Sequence, residues 1–312
     1  MKILLIHCHY RLPGGEDAVF AAERALLERR GHTVLVYERS NEEAAHGLAK
    51  ALLPLHAVWN RRAAREVCDL IRREGVEAVH IHNTLLLLSP AVVRAAKRCG
   101  VPVVQTLHNF RLFCPNGILL RDGAVCEDCP RRGLHCALRH RCYRGSLAQT
   151  LVVAAAYRLH RALGSWRGVW VTTPTEFDRE KLLAFNRLRP TFDENRLVVK
   201  PNPVSVPAGP VIPWEERDRR FVFAGRLEEL KGLRTVIEAW RLLGDTAPEL
   251  LIAGDGPLAD WARAQALPRV RFLGQLERAE LHRLIGASYA VIAASLCYES
   301  FALVPAEAHA LG

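Results

Sequence analysis

The 312-residue sequence predicts an α/β protein built from two doubly wound, mainly parallel sheets. Three observations carry this prediction. Short β-branched runs alternate with amphipathic helical stretches, a proline-rich segment interrupts the alternation, and the same rhythm then starts again.

In the first half, KILLIH (2–7), TVLVY (33–37), AVHIH (78–82), PVVQTLH (102–108), GVWVTT (168–173) and RLVVK (196–200) read as strands. The segments between them carry helical periodicity. DAVFAAERALLERRGH (17–32) is the clearest, with Val19, Ala22, Leu26 and Leu27 on one face and Gly31 as its stop. The segment 201–218, PNPVSVPAGPVIPWEERD, has five prolines in its first thirteen residues and fits neither helix nor sheet interior. It reads as a linker between a first domain at 1–200 and a second at 219–312. In the second, RFVFAG (220–225), ELLIAG (249–254), VRFLG (270–274) and YAVIAAS (289–295) are the strands. Two Rossmann-like domains facing a cleft follow from this order.

No stretch has the ~18 to 20 uninterrupted apolar residues that cross a bilayer. The N-terminal MKILLIH reads as a strand and not as a signal peptide. There are 43 Lys plus Arg against 33 Asp plus Glu, a formal charge of +10, which suits an anionic partner: nucleotide, nucleic acid or lipid headgroup. Nothing in the basic and aromatic residues patterns as a nucleic-acid surface, so none is expected. Nine cysteines point to a reducing, cytoplasmic setting and to thiols or metal instead of a disulfide framework.

Ligands of open α/β sheets lie beyond the C-terminal ends of the strands. Gly14 and Gly15 stand there after the first strand and run into a helix, where a backbone can approach an anion. In FAGRLEELKG (223–232), Arg226 and Lys231 pair a planar fork with a point charge, as a diphosphate requires. The competing reading makes them solvated cations that Glu228 and Glu229 neutralise. In ESFALVPAEAHALG (299–312), Pro305 sets a helix start near Val304. That leaves amides around Phe301, Ala302 and Leu303 for a phosphate, with Glu299 before the helix and Glu307 within it. The two carboxylates then address a sugar and a ribose diol. Otherwise Glu307 complements the helix dipole and Glu299 is a solvated charge.

Taken together, these motifs resemble the retaining family 4 glycosyltransferases of the GT-B fold, over nearly the whole chain. The resemblance rests on Gly14-Gly15, His108-Asn109, Thr175-Glu176-Phe177, Pro201-Asn202, GRLxxxKG at 225–232, AGDGP at 253–257 and E-x7-E at 299–307. It implies that Arg226 and Lys231 hold the diphosphate of a UDP- or GDP-sugar donor, that Glu299 binds sugar hydroxyls and that Glu307 binds ribose. It also implies that His108 contacts the donor sugar, that amides of Gly15 and of Phe301 to Leu303 complete the phosphate site, and that no catalytic metal is needed. Ala302 stands where the family commonly has glycine, which would crowd the donor side if that position required a positive φ. The linker reads PNPV instead of PNGV.

The insert at 110–145 holds Cys114, Cys126, Cys129, Cys136 and Cys142. Cys126 and Cys129 form a C-x2-C knuckle that Cys136 and Cys142 would close into a structural zinc site, with Cys114, His135 or His140 as substitutes. An iron–sulfur cluster and reduced free thiols are the other readings. The stretches 48–67 and 151–168 mix apolar residues with Arg, Lys, His and Trp, as helices on the anionic inner face of the cytoplasmic membrane do. Core-facing helices with basic outer faces have the same pattern. The family often glycosylates lipid-linked or cell-envelope acceptors, so a cell-envelope polysaccharide, another lipid-linked glycan or a small molecule is the expected acceptor. The chain ends where the family continues to another strand, so a truncated second domain is expected. Two further readings compete: a non-catalytic nucleotide-binding scaffold, and a GT-B nucleotide-sugar epimerase.

Overall fold

The computed structural model describes residues 1–10, 14–43, 47–206 and 209–312, with side chains from 51 onward in the second helix. Pro13, which precedes Gly14 and Gly15, and Pro207 of the linker lie outside the described residues, as do the side chains at 48–50 of the 48–67 stretch. Two compact units form: Met1–Arg121 with Val125–Pro203, and Val204–Gly312 with Asp122–Ala124.

The first unit begins with β1 (Lys2–His9), α1 (Gly15–Arg29), β2 (Thr33–Ser40), α2 (Gly47–Val58), α3 (Arg61–Glu74), β3 (Ala78–Ile81), α4 (Ala91–Arg98) and β4 (Val103–Thr106). After β4 come short strands β5 (Leu120–Arg121) and β6 (Ala124–Val125) and short helices α5 (Asp128–Arg132) and α6 (His135–Arg139). Then follow α7 (Leu147–Ala162), β7 (Trp170–Thr173), α8 (Glu176–Leu188) and β8 (Leu197–Val199). The main sheet has six parallel strands in the order β2-β1-β3-β4-β7-β8. Helices cover both faces of such a sheet, so Leu4, Leu5 and Ile6 are fully buried. The chain leaves β1 toward β2 on one side and returns as β3 on the other. That reversal puts a topological switch point at the C-terminal ends of β1 and β3.

Caps explain several boundaries. Asn60 begins α3 by accepting from the Ala63 amide at 3.0 Å, and Gly75 ends it in the left-handed region. Thr175 caps α8 by accepting from the Asp178 amide at 3.2 Å, which gives the Thr-Glu-Phe motif a structural task. The cysteine insert is ordered by a small core of its own: Cys129, Cys136 and Ala137 are buried against Leu134 and Cys142. Cys68 of α3 and Cys99 after α4 are joined as a disulfide with Cα atoms 6.3 Å apart, which corrects the expectation of free thiols at those two positions. Packing of α3 on α4 places the two residues side by side.

The second unit contains β9 (Asp218–Ala224), α9 (Leu233–Leu243), β10 (Glu249–Ala253), α10 (Ala259–Arg263), β11 (Val270–Gly274), α11 (Arg278–Gly286), β12 (Ser288–Val291) and α12 (Leu303–Ala310). Its four strands are parallel in the order β11-β10-β9-β12, so the switch point falls between β9 and β12. Phe223, Leu233, Val236, Ile237, Leu250 and Ile252 fill its core, and the Trp240 indole donates to the Pro248 carbonyl at 2.8 Å.

Two glycine-bearing loops interlock above this sheet. The amide of Leu227 donates to Asp255 and that of Leu258 donates to Leu227, both at 2.9 Å. The Leu296 amide donates to Leu230 at 2.9 Å, so the segment after β12 is tied to the same loop. At Gly254 a Cβ would lie 1.9 Å from the Gly225 carbonyl oxygen, and at Gly232, with φ +73°, 1.9 Å from that of Ala294. AGDGP thus buttresses GRLxxxKG. Gly232→Ala is expected to lower stability by about 2 to 3 kcal/mol, because backbone and not a flexible side chain must yield. A denaturant titration checks this, and a variant as stable as the parent would contradict it.

Candidate functional site

In the second unit, Arg226 and Lys231 follow β9 at the switch point. Arg226 is exposed, with the Glu228 carboxylate 3.8 Å from its guanidinium. Glu229 pairs with Arg234 at 2.6 Å, so of the two acids expected to neutralise the patch only Glu228 faces Arg226. Lys231 ends a short 3-10 turn, Glu229–Lys231, and its Nζ donates to both oxygens of Glu299 at 2.8 and 2.9 Å. The Ser295 hydroxyl donates to the same carboxylate. Burial pushes the Glu299 carboxyl up, but Lys231 and Ser295 outweigh it and hold it below the usual carboxylate range. The structure therefore brings Lys231 and Glu299 together from positions 68 apart.

Phe301 and Ala302 lead into α12, which starts at Leu303. Ala302 has φ −82° and ψ 105°, an ordinary extended backbone, so the conformational strain that would demand glycine there does not arise. The first-turn amides of α12 have no acceptor within the helix. Glu307 is buried in α12, with Arg278 Nη2 at 2.9 Å and His282 Nε2 at 3.3 Å from its Oε1. It ties α12 to α11, and sequence reading had not singled out Arg278 or His282.

In the first unit, Gly14 precedes α1 with φ −143° and open space where a Cβ would go, so its conformation suits any residue. Its amide donates to Asp17 Oδ2 at 2.8 Å, while His7 Nε2 and His9 Nδ1 reach Asp17 Oδ1 at 2.9 and 2.7 Å. Gly15 opens α1 and is exposed. Burial pushes the Asp17 carboxyl up, but the bonds from His7, Gly14 and His9 bring it down to about 2. His108 lies beyond β4, its Nε2 3.0 Å from His82 Nδ1 and the two rings stacked with centroids 5.2 Å apart. It lines a narrow crevice with Glu16, Asn83, Thr84, Asn109 and Arg111. Behind it, Glu23 meets His82 Nε2 at 3.1 Å and is ion-paired with Lys200. His80 Nε2 bonds the Thr106 hydroxyl at 2.8 Å.

Sequence reading chose His108 and passed over His7, His9, Asp17, Glu23, His80, His82 and Lys200. A signal was present in IHCH and HIH, where histidines two apart at strand ends share one sheet face.

Among the described residues, His7, His9 and Asp17, and Glu23, His80 and His82, are the groups of three whose ligand-type atoms lie within 4.8 Å of one another. The thiols of Cys126, Cys129, Cys136 and Cys142 do not form such a group. Burial and the neighbouring Cys114 and Cys142 push the Cys129 thiol up to about 12.

Residues 14–203 match the family model of the glycosyl transferase 4-like domain, and residues 218–312 match that of glycosyl transferases group 1. The chain belongs to this family of glycosyltransferases. No curated protein sequence matches it. Among solved structures, a glycosyltransferase from Rickettsia africae is similar over 99% of this chain and 77% of its own, at 15% identity and a TM-score of 0.59. Anabaena Alr3699/HepE, in complex with UDP, is similar over 99% of this chain and 78% of its own, at 16% identity and a TM-score of 0.54. The lipopolysaccharide outer core galactosyltransferase WaaB is similar over 95% of this chain and 74% of its own, at 14% identity and a TM-score of 0.50. At these identities the likeness establishes the shared GT-B fold.

The glycosyltransferase carries buried neutral imidazoles with a pH signature. Burial pushes His80 and His108 down to about 3 and His82 to about 4. Unfolded, these rings take up protons near pH 6.5, which the folded chain does not do until far lower. Stability from this source is complete above about pH 6.5 and is lost as pH falls toward about 4. Each ring adds a slope of up to about 1.4 kcal/mol per pH unit in that window. Urea melts of the parent and of His80→Asn between pH 7 and 5 are expected to show a shallower slope in the variant; equal slopes would contradict the assignment.

Proposed function

We propose that this glycosyltransferase moves a sugar from a nucleoside diphosphate sugar, with retention at the anomeric carbon, to a glycan or lipid-linked acceptor. The observation that carries the reading is the Lys231–Glu299 pair at the β9/β12 switch point, with Lys231 on the same loop after β9 that bears Arg226. In this reading Arg226 and Lys231 take the donor diphosphate, with the amides of Gly15 and of Phe301, Ala302 and Leu303 as further donors. Glu299 accepts from sugar hydroxyls, His108 also meets the sugar, and Glu307 serves the ribose side.

The anomeric C–O bond to the diphosphate breaks, and the acceptor oxygen bonds to the same face of that carbon. The acceptor proton passes to the departing phosphate. Charge builds on the leaving diphosphate, so fixed cations and amides aimed at it lower the barrier, and a catalytic metal is not required. The Anabaena protein is in complex with UDP, and with UDP-glucose in another structure, which favours uridine diphosphate as the carrier here.

A lipid-facing role draws support from α2 and α7, which pack together and leave Leu55, Leu147, Leu151 and Leu159 exposed, with exposed Arg158 in α7 and exposed Arg61 and Arg62 following α2 in the sequence. No described helix is long and apolar enough to cross a membrane, so such attachment would be interfacial.

Thermal unfolding against UDP, GDP and ADP tests the donor assignment. UDP at 100 times its dissociation constant is expected to add about 2.7 kcal/mol, and Arg226→Ala to abolish the gain. Stabilisation by UDP that survives in Arg226→Ala would remove Arg226 from the diphosphate site. Separately, Leu55→Gln with Leu151→Gln is expected to weaken sedimentation with anionic vesicles; undiminished binding would argue against this face.

A further inference from the structure

Behind His108 stands a line of buried polar groups that the transfer chemistry does not use. Lys200 of the segment after β8 donates to one oxygen of Glu23, in the middle of α1. The other oxygen, Oε2, faces His82 Nε2 at 3.1 Å; neither atom makes a hydrogen bond within the described residues, so each is the buried polar atom left for the other. On the far side of the same ring, His82 Nδ1 lies 3.0 Å from His108 Nε2. Glu23 and His82 are buried, and β3, β4 and α1 fix their places.

Hydrogen bonding along such a line has a direction. An ionised carboxylate only accepts, so the proton of a neutral His82 belongs on Nε2. His82 Nδ1 is then an acceptor, which requires His108 to donate from Nε2. His108 Nδ1 is left with a lone pair. We infer that Glu23, acting through His82, is a positioning residue that fixes His108 in the Nε2-protonated tautomer, so that His108 presents an acceptor nitrogen to a hydroxyl of its sugar ligand. This rests on the reading of His108 as a sugar-contacting residue. The logic is that of a buried carboxylate selecting an imidazole tautomer, with a second imidazole interposed. Three features agree with it. Burial holds His82 and His108 neutral, Lys200 keeps Glu23 ionised, and the stacked rings limit rotation of His108.

The test reads the tautomer directly. In the full chain labelled with 15N-histidine, long-range proton–nitrogen correlation near pH 7 is expected to show His108 with Nε2 protonated and Nδ1 bare, and His82 likewise. A proton on His108 Nδ1 overturns the inference, whatever the enzyme transfers. Glu23→Gln is nearly isosteric, and Lys200 takes its amide oxygen, so the amide nitrogen turns toward His82. Both rings are then expected to invert, and transfer to fall about tenfold or more in kcat/KM through loss of one hydrogen bond. Unchanged transfer in a variant whose rings have inverted would also overturn it. Should Glu23→Gln not fold, the parent spectrum alone decides. Absence of sugar transfer by the parent would defeat the functional reading and leave the tautomer result standing.

Discussion

A parallel strand covered by helices on both faces has little room for a polar side chain except near its C-terminal end. Both units of this glycosyltransferase obey that constraint. In β1, Leu4, Leu5 and Ile6 are fully buried, and the polar chemistry begins at His7 and His9. Toward and just beyond the C-terminal ends of β3 and β4 it gathers at His80, His82, Thr106 and His108. The second unit repeats the pattern, with the buried Val222 and Phe223 of β9 giving way to the loop of Arg226 and Lys231. Chemistry collects where the sheet order reverses because only there do neighbouring strand ends diverge and leave space.

The two units hold their charges differently. Lys231, Glu299 and Ser295 form a partly exposed cluster set on interlocked backbone, with Gly232 and Gly254 admitting carbonyl oxygens where any side chain would collide. Rigidity there comes from close backbone approach. In the first unit Glu23 is buried and must be met from inside: Lys200 donates to one of its oxygens and His82 Nε2 stands 3.1 Å from the other, both from distant parts of the chain. A buried carboxylate of this kind orders its neighbours because each hydrogen bond determines the next.

Of the site residues singled out in the sequence, the structure sets Arg226, Lys231 and Glu299 around one switch point, and it changes the company that others keep. Glu307 is engaged by Arg278 and His282, partners drawn from α11 that no motif advertises. The amide of Gly14 is committed to Asp17. Ala302 sits in extended backbone, so its Cβ brings no conformational strain. The cysteine insert has a packed core that the sequence does not announce, because its apolar Leu134 and Ala137 are too few and too scattered to show periodicity.

By itself the sequence determined the alternation of strands and helices, because burial on both faces writes itself as apolar runs of fixed length. All ten strands read from it form, and the loops that bear Arg226, Lys231 and Glu299 follow the strands as expected. Tertiary structure alone decided the Cys68–Cys99 link and the Glu23–His82–His108 line. The first depends on α3 packing against α4, and the second on which strand ends become neighbours. Residues 68 apart, such as Lys231 and Glu299, leave no local trace of meeting, since hydrophobic periodicity records which face is buried and not which partner lies across it.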